Sequence, residues 1–332
     1  MPEYFSYAEQ SAHYFNRAHS APPSGPIVGP AAWKGSDIGP DEAWRLRLTE
    51  DQVAEFEAAT AAACRTGKPV IALKAADFPL PTLAEEIARW REQVDRGRGF
   101  QVISGAPVGR WSRSEIEVFF WCLGLYMGRP GAQNPRGDLL GEVRDTGADT
   151  SDPYVRLYQT RSEIAYHCDA ADVVGLLCLR GAARGGVSRI ASSVTIFNTL
   201  RELRPDLAER LFEPFPLDIR NEDPSGSLHH IAVPPCRFSN QRLRTFYHSD
   251  YFRSAQRHSD VPQFTEDELT LLDLYEEIAS DPTIRLEMAL ESGDIQWLSN
   301  HSIVHSRSGY QDQSPNQRGR ELLRLWISLE NG

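Results

Sequence analysis

Several features that would assign a function on their own are scarce or missing in this 332-residue sequence. Its five cysteines show no C-x-x-C spacing, which argues against a disulfide framework or zinc knuckle and indicates reduced thiols in a cytoplasm. Basic residues are not in excess: the formal net charge of -11 argues against nucleic acid or an anionic membrane surface as the main partner. No apolar run approaches membrane length, and the first residues show no signal pattern. We expect a cytoplasmic protein with a small-molecule substrate; its oligomeric state stays open, a homo-oligomer included.

Helix-initiation signals organise the chain after a poorly patterned start. Residues 1–48 contain several Pro/Gly turns and predict an extended lead-in that contributes to the pocket or to an interface. Beyond it, Ser/Thr-x-x-Glu/Gln capping boxes open four helices, at Thr49, Thr82, Ser112 and Thr265. A further helical insert is predicted from residue 193 to about 212. Because no linker or repeat interrupts residues 49–332, we interpret them as a single domain.

From about residue 139 the sequence becomes rich in strand-forming residues. Strands are predicted over 154–158 and 173–179, on either side of the stretch 166–169. Alternation with period two predicts further strands over 284–290 and 320–328. Together these patterns predict helices that cover a β-core closed on itself.

The last predicted strand places two arginines on a face that also carries apolar side chains. Its odd positions are uniformly apolar and should pack against a covering layer: Leu323, Leu325 and Ile327. Its even positions mix the two arginines with apolar residues: Arg320, Leu322, Arg324 and Trp326. A buried guanidinium is costly unless an anion meets it, so we favour an interior anion site over a solvated face.

His167 and Asp169 are the first two candidate metal ligands. On an extended backbone, residues two apart point to the same face, so these side chains would project together. The third ligand would be a distant histidine, and the stretch 300–307 offers His301 and His305. Two histidines and one carboxylate on one face of iron(II) leave three positions for a co-substrate and oxygen. Zinc accepts the same ligands, so a zinc hydrolase and a non-catalytic metal-binding protein remain alternatives.

Roughly residues 99–327 of this sequence resemble the iron(II)/2-oxoglutarate oxygenases of the taurine dioxygenase and TfdA type. The motifs that carry the resemblance are Gly97-Arg98-Gly99-Phe100, His167-x-Asp169, Gly185-Gly186-x-Ser188, Gly293-Asp294-Ile295, Asn300-x4-His305-x-Arg307 and Arg320-x3-Arg324. The resemblance implies a mainly β fold with α inserts, a double-stranded β-helix (jelly-roll) core covered by helices. It also implies iron(II), with 2-oxoglutarate and O2 as co-substrates, and oxidation of a small molecule with release of succinate and CO2.

The resemblance assigns the catalytic metal ligands as His167, Asp169 and His305. The family's four-residue gap after Asn300 reaches His305 and not His301. Halogenating relatives lack the carboxylate ligand, so the presence of Asp169 implies hydroxylation as the expected outcome, with desaturation or ring chemistry as alternatives.

The same resemblance assigns co-substrate contacts. Ser188 resembles the hydroxyl that contacts the distal carboxylate of 2-oxoglutarate, and Arg320 resembles the arginine that grips this carboxylate. Arg324 resembles a second arginine, which contacts co-substrate or substrate. A hydrolase has no use for such an arginine pair. An aromatic and polar segment provides candidate substrate residues, with packing as the alternative: Tyr247, Tyr251 and Arg253.

Overall fold

The structure is a computed structural model, and it describes residues 3–223, 226–312 and 319–330. Its helices are α1 (Tyr7–Phe15), α2 (Gly35–Ile38), α3 (Glu50–Arg65), α4 (Leu83–Asp95), α5 (Arg113–Met127), α6 (Ser193–Leu203), α7 (Pro205–Arg210), α8 (Ser249–Ser254) and α9 (Glu266–Ser280). The strands are β1 (Arg45–Arg47), β2 (Phe100–Ser104), β3 (Arg129–Gly131), β4 (Leu140–Arg144), β5 (Ile164–His167), β6 (Val173–Arg180), β7 (Arg184–Gly185), β8 (Ser188–Ser192), β9 (Phe215–Asp218), β10 (His230–Val233), β11 (Cys236–Ser239), β12 (Arg242–Thr245), β13 (Leu286–Met288), β14 (Ile295–Ser299), β15 (Ile303–Arg307), β16 (Tyr310–Gln311) and β17 (Glu321–Ser328).

Two sheets carry the site. The larger sheet has the order β1-β2-β14-β6-β17-β3, with β4 also paired to β17, and it is mixed because β1 runs parallel to β2. The smaller sheet has the order β13-β8-β15-β5 and is antiparallel. Apolar side chains from both sheets share one buried cluster, for example Val174 and Leu322 from the larger sheet with Ile190 and Ile303 from the smaller one. The two sheets therefore face each other across a common core.

The alternation predicted for the last strand is confirmed by β17. Leu323, Leu325 and Ile327 are completely buried in the cluster that also contains the apolar side chains of α5. Leu322 and Trp326 belong instead to the cluster between the sheets. The arginine-bearing face of β17 thus points into the protein.

Capping boxes located most helix starts correctly. Three boxes form as predicted, at Thr49, Ser112 and Thr265. At Thr82 the box is absent, because its amide and its hydroxyl both donate to Glu55. Helix α4 nevertheless begins at Leu83. The predicted insert from residue 193 becomes two helices, with Pro205 at the first position of the second.

The strand predictions were confirmed for 173–179 and 320–328, which are β6 and β17. The prediction over 154–158 was wrong: this segment lacks strand pairing and ends in a 3-10 turn over Leu157–Gln159. Its polar and aromatic side chains face a cavity, where Arg156 pairs with Glu222 and Tyr158 lies against Arg324. Of the region 284–290, only β13 pairs with a neighbouring strand.

The lead-in contributes buried side chains to the body of the protein. Tyr14 on α1, Trp33 and Trp44 are each less than a tenth exposed. Gln10 on α1 bonds to the backbone of Ala170 and accepts a hydrogen bond from Ser328, which ties the helix to the main sheet. Within the described ranges, no helix is long and apolar enough to cross a membrane. The domain division at residue 48 stays a prediction.

Candidate metal centre and anion site

Strand pairing brings the candidate metal ligands together. In the smaller sheet β15 lies between β8 and β5, and His305 is directly opposite His167. Strand β5 ends at His167, so Asp169 lies just beyond it rather than within an extended strand. The Asp169 amide donates to the side chain of Asn300 at 3.0 Å, and that side chain donates to Ala171. Asn300 therefore fixes the backbone at Asp169, a role that the sequence did not reveal.

The geometry of the three side chains suits a divalent cation. Their ligand atoms all lie within 4.8 Å of one another, with His305 Nε2 3.8 Å from Asp169 Oδ2. Nδ1 of His167 is 2.9 Å from the carbonyl of Ala165, and because a carbonyl only accepts, this nitrogen carries the proton. In the neutral ring this tautomer has its lone pair on Nε2. Asp169 Oδ2 is buried and has no hydrogen-bond partner in the described residues. Coordination to a bound metal would satisfy this oxygen.

The electrostatics keep His305 and Asp169 in their metal-binding forms. Burial lowers the pKa of His305 to about 3, with His167 adding to the effect, so His305 is neutral. Burial alone would raise the pKa of Asp169, but Arg324 and the two histidines outweigh it and hold the pKa below its usual value. A neutral imidazole and an ionised carboxylate are the forms that coordinate metals.

The competing histidine, His301, has a different partner. Its Nε2 is 2.7 Å from a carboxylate oxygen of Asp172, which is completely buried. Asp172 also meets His13 and Arg17 of the N-terminal region, and it accepts from the amide of Leu329. The structure thus places His305 beside His167 and Asp169, and His301 in a buried network around Asp172.

A cavity of about 330 Å³ opens beside the metal ligands, and its wall includes His167 and Asp169. Arg324 extends along the wall: its Nη1 is 3.3 Å from Asp169 Oδ1, and its Nε donates to Gln133 at 2.7 Å. Another part of the wall is a connected set of polar and aromatic groups: Arg156, Glu222, His248 and Tyr251. The cavity therefore places both charges and aromatic faces next to the metal centre.

Hydrogen bonds and ring stacking join the residues of this connected wall. Arg156 donates to both Glu222 and the hydroxyl of Tyr251. The Tyr251 ring stacks on His248 at 3.6 Å, and His248 pairs with His167 through a backbone bridge. Burial lowers the pKa of His248 well below its usual value, so the ring is neutral. Sequence reasoning missed Arg156 and Glu222, since their pairing joins segments far apart in the chain.

Of the three candidate substrate residues, only Tyr251 lines the cavity. Tyr247 is fully buried, stacks on Tyr275 at 3.8 Å and donates to the carbonyl of Leu272. Arg253 pairs with the exposed Asp273. Neither Tyr247 nor Arg253 lines this cavity, because Tyr247 precedes helix α8 and packs into the core, whereas Arg253 on α8 points toward Asp273.

A second group of buried side chains combines two arginines with a tyrosine. Arg307 and Arg320 bracket the ring of Tyr310, with guanidinium carbons 4.9 and 5.3 Å from the ring centroid. Burial lowers the pKa of Arg307 to about 10, with the charge of Arg320 adding to the effect. Neither arginine forms a salt bridge with a described acidic side chain. Gly186 has a φ of +68°, and a Cβ there would lie 3.0 Å from Arg320 Nε, so glycine leaves room for this guanidinium.

Ser188 lies near this group on the inward side of the smaller sheet. It is the cross-strand partner of Arg307, and it is mostly buried. The side-chain amide of Gln296 donates to its hydroxyl at 3.1 Å. Because β14 belongs to the larger sheet, this hydrogen bond links the two sheets. The structure therefore places Ser188 opposite Arg307, whereas the resemblance grouped it with Arg320; its role at the co-substrate stays a prediction.

Facing sheets, two histidines and one carboxylate define the site class used by non-haem iron(II) oxygenases. A family model described as "Taurine catabolism dioxygenase TauD, TfdA family" matches residues 65–326. FR-33289 synthase from Streptomyces rubellomurinus is 31% identical over 319 residues, covering 92% of this chain and 91% of the relative. The taurine hydroxylase-like protein SAT17 from Stachybotrys chartarum is 27% identical over 319 residues, covering 93% and 82%.

Among solved structures, asparagine oxygenase with Fe(II), 2S,3S-3-hydroxyasparagine and succinate has a TM-score of 0.67 at 17% identity. That match covers 86% of this chain and 93% of the other, and it shows a shared fold. This chain belongs to the TauD/TfdA family. It is an iron(II)- and 2-oxoglutarate-dependent dioxygenase that uses O2. The comparisons thereby favour an oxygenase over the zinc hydrolase and the non-catalytic metal-binding protein.

Proposed function

We propose that this enzyme hydroxylates a small molecule that carries an acidic group, at the centre formed by His167, Asp169 and His305. The observation that carries the proposal is the position of Arg324, which lines the cavity and lies 3.3 Å from Asp169. A cation on the wall beside the reacting centre would bind and orient an acidic substrate. The matched family model and the relative SAT17 are both named after taurine, which bears a sulfonate. These names support an acidic substrate.

The three ligands would hold iron on one face. When bound, iron(II) supplies the oxidation of the substrate by O2, coupled to conversion of 2-oxoglutarate into succinate and CO2. The chain itself contributes orientation: Ala165 fixes the tautomer of His167, and Asn300 fixes the backbone of Asp169. Burial around His305 limits access of water to the centre.

For the co-substrate, Arg320 and Ser188 would bind the distal carboxylate of 2-oxoglutarate. Arg320 supports this role because it is only 6% exposed and its Nη1 has no hydrogen-bond partner in the described residues. Arg324 lies on a different wall, next to Asp169, and would orient the acidic group of the substrate or the proximal end of the co-substrate. Tyr251 and His248 would form another part of the wall of the substrate site.

At the level of architecture, we propose that the two facing sheets are the walls of a double-stranded β-helix, or jelly roll. Their shared apolar cluster supports this arrangement. We further propose one domain over residues 49–332, preceded by the lead-in over 1–48, in a cytoplasmic enzyme without nucleic-acid or membrane partners. The net charge of -11 supports the last point.

The decisive experiment has two stages. Apo-protein is mixed anaerobically with iron(II) and 2-oxoglutarate, and the visible charge-transfer band of the chelate is recorded. Oxygen is then admitted, and succinate release is measured with a panel of small sulfonates, phosphates and carboxylates. We expect the band, and succinate coupled to oxidation of an acidic panel member. The band without succinate would indicate a binding protein, and neither signal would favour zinc chemistry.

A further inference from the structure

We propose that Arg307 and Tyr310 join Arg320 in a two-arginine cradle for the distal carboxylate of 2-oxoglutarate. The inference rests on the proposed function, which assigns Arg320 and Ser188 to this carboxylate. It adds a second guanidinium and a phenol, whose contribution can be measured separately.

The strand geometry puts Arg307 at a suitable distance from the metal centre. Arg307 follows His305 by two residues on β15, so both side chains leave the same face of the strand. Two residues of extended chain cover roughly 6.6 Å, a length comparable to that of a five-carbon diacid. On the neighbouring strand Ile190 is opposite His305 and Ser188 is opposite Arg307. A diacid held at the metal by one end would therefore reach Ser188 and Arg307 with the other.

Hydrogen bonding leaves donors free in this region. One end of the Arg307 guanidinium is anchored, because its Nη2 donates to the carbonyls of Thr160 and Ser162. Its Nε and Nη1 are buried without a hydrogen-bond partner among the described residues, as are Nη1 of Arg320 and the hydroxyl of Tyr310. Buried polar atoms in proteins are nearly always satisfied. Several unsatisfied donors on neighbouring side chains therefore indicate a shared acceptor.

The charges point to an anion as that acceptor. Arg307 and Arg320 are each 6% exposed and contact the same Tyr310 ring. Two buried positive charges destabilise each other and lose hydration, unless a negative group lies between them. A carboxylate offers about four acceptor positions on its two oxygens, enough for both guanidinium groups and the phenol. The packing thus matches the chemistry of the diacid co-substrate.

The test compares two keto acids that differ only at the distal end. Iron-loaded protein is titrated anaerobically with 2-oxoglutarate and with 2-oxobutyrate, which has no distal carboxylate, and the chelate band is followed. For Arg307→Lys we expect the dissociation constant of 2-oxoglutarate to rise about tenfold or more, and that of 2-oxobutyrate to stay unchanged. Tyr310→Phe should show the same selectivity with a smaller change. Arg189→Lys is the matched control, since Arg189 lies on β8 and pairs with Glu163 and Glu287.

A second readout needs no metal. Melting of the metal-free protein is measured with glutarate, butyrate and inorganic phosphate. Stabilisation by glutarate that is lost in Arg307→Lys supports the cradle, whereas equal stabilisation by phosphate would overturn the assignment to a diacid.

Three results of the titration would overturn the cradle. In the first, Arg307→Lys weakens both keto acids equally, which would mean that Arg307 only holds the segment around Thr160. In the second, Arg307→Lys behaves like Arg189→Lys while Arg320→Lys loses 2-oxoglutarate selectively; the proposed function would then survive without the cradle. In the third, the wild-type protein binds no 2-oxoglutarate, and both proposals fail.

Discussion

The two histidines at positions 301 and 305 give the sharpest test of the metal centre. They lie four positions apart, yet the structure gives them unrelated neighbours, Asp172 for His301 and the other two candidate metal ligands for His305. We expect His301→Ala to lower stability while it preserves iron binding, and His305→Ala to abolish iron binding with a smaller effect on stability.

The size of the first effect follows from the surroundings of His301. Its ring is 6% exposed, bonds to Asp172 at 2.7 Å and stacks on Tyr14 with centroids 5.0 Å apart. Burial lowers the pKa of His301, so its neutral ring donates to the Asp172 carboxylate, and a hydrogen bond to a charged group is worth about 1.5–3 kcal/mol. Because Asp172 keeps His13, Arg17 and the amide of Leu329, the cost should fall toward the lower end, about 2 kcal/mol. For a chain of this length that corresponds to a melting temperature lowered by about 3 °C.

Thermal melting and the anaerobic iron(II)/2-oxoglutarate band measure the two properties independently. His229→Ala is the matched control, because His229 is exposed. If His301→Ala lost the band and His305→Ala kept it, the ligand assignment would be wrong. If the His301→Ala variant had the same melting temperature as the wild-type protein, the energetic account of the Asp172 network would be refuted.

Three further predictions concern the arginines, the product and the pH dependence of stability. Arg320→Gln should raise the apparent Michaelis constant for 2-oxoglutarate about tenfold or more. Arg324→Gln should reduce turnover or substrate affinity more strongly than it reduces 2-oxoglutarate affinity. If steady-state kinetics gave the two variants each other's profile, the two roles would have to be exchanged. In chloride buffer, mass spectrometry should detect a hydroxylated and no chlorinated product, because Asp169 occupies the ligand position that halogenating relatives leave free; a chlorinated product would contradict this. Burial, with Asp250 adding to it, raises the pKa of Glu276 from 4.5 to about 7, so its ionisation penalises the folded state increasingly from pH 4.5 to pH 7. Denaturation at pH 5 and pH 8 should therefore show that Glu276→Gln relieves a loss of roughly 1–3 kcal/mol, and an unchanged pH profile would refute the assignment.

The sequence alone determined those features that depend on local patterns. Capping at Thr49, Ser112 and Thr265 follows from a hydroxyl three residues before an acidic or amide side chain. The inward face of β17 follows from the two-residue period of a strand, which does not depend on what packs against it. The resemblance of the spaced motifs selected His305 over His301 as a metal ligand, which stays a prediction; in the structure His305 lies near His167 and Asp169, and His301 bonds to Asp172.

Only the tertiary structure decided which distant residues meet. The strand predicted over 154–158 is absent, because Arg156 instead pairs with Glu222 and Tyr158 packs against Arg324 at the cavity. No local sequence pattern encodes these contacts. Likewise Asn300 holds the backbone of Asp169 across 131 positions of the chain. Arg307 and Arg320 meet at Tyr310 because folding brings the end of β15 beside the start of β17. Such contacts arise from sheet order and side-chain packing, which sequence periodicity leaves undetermined.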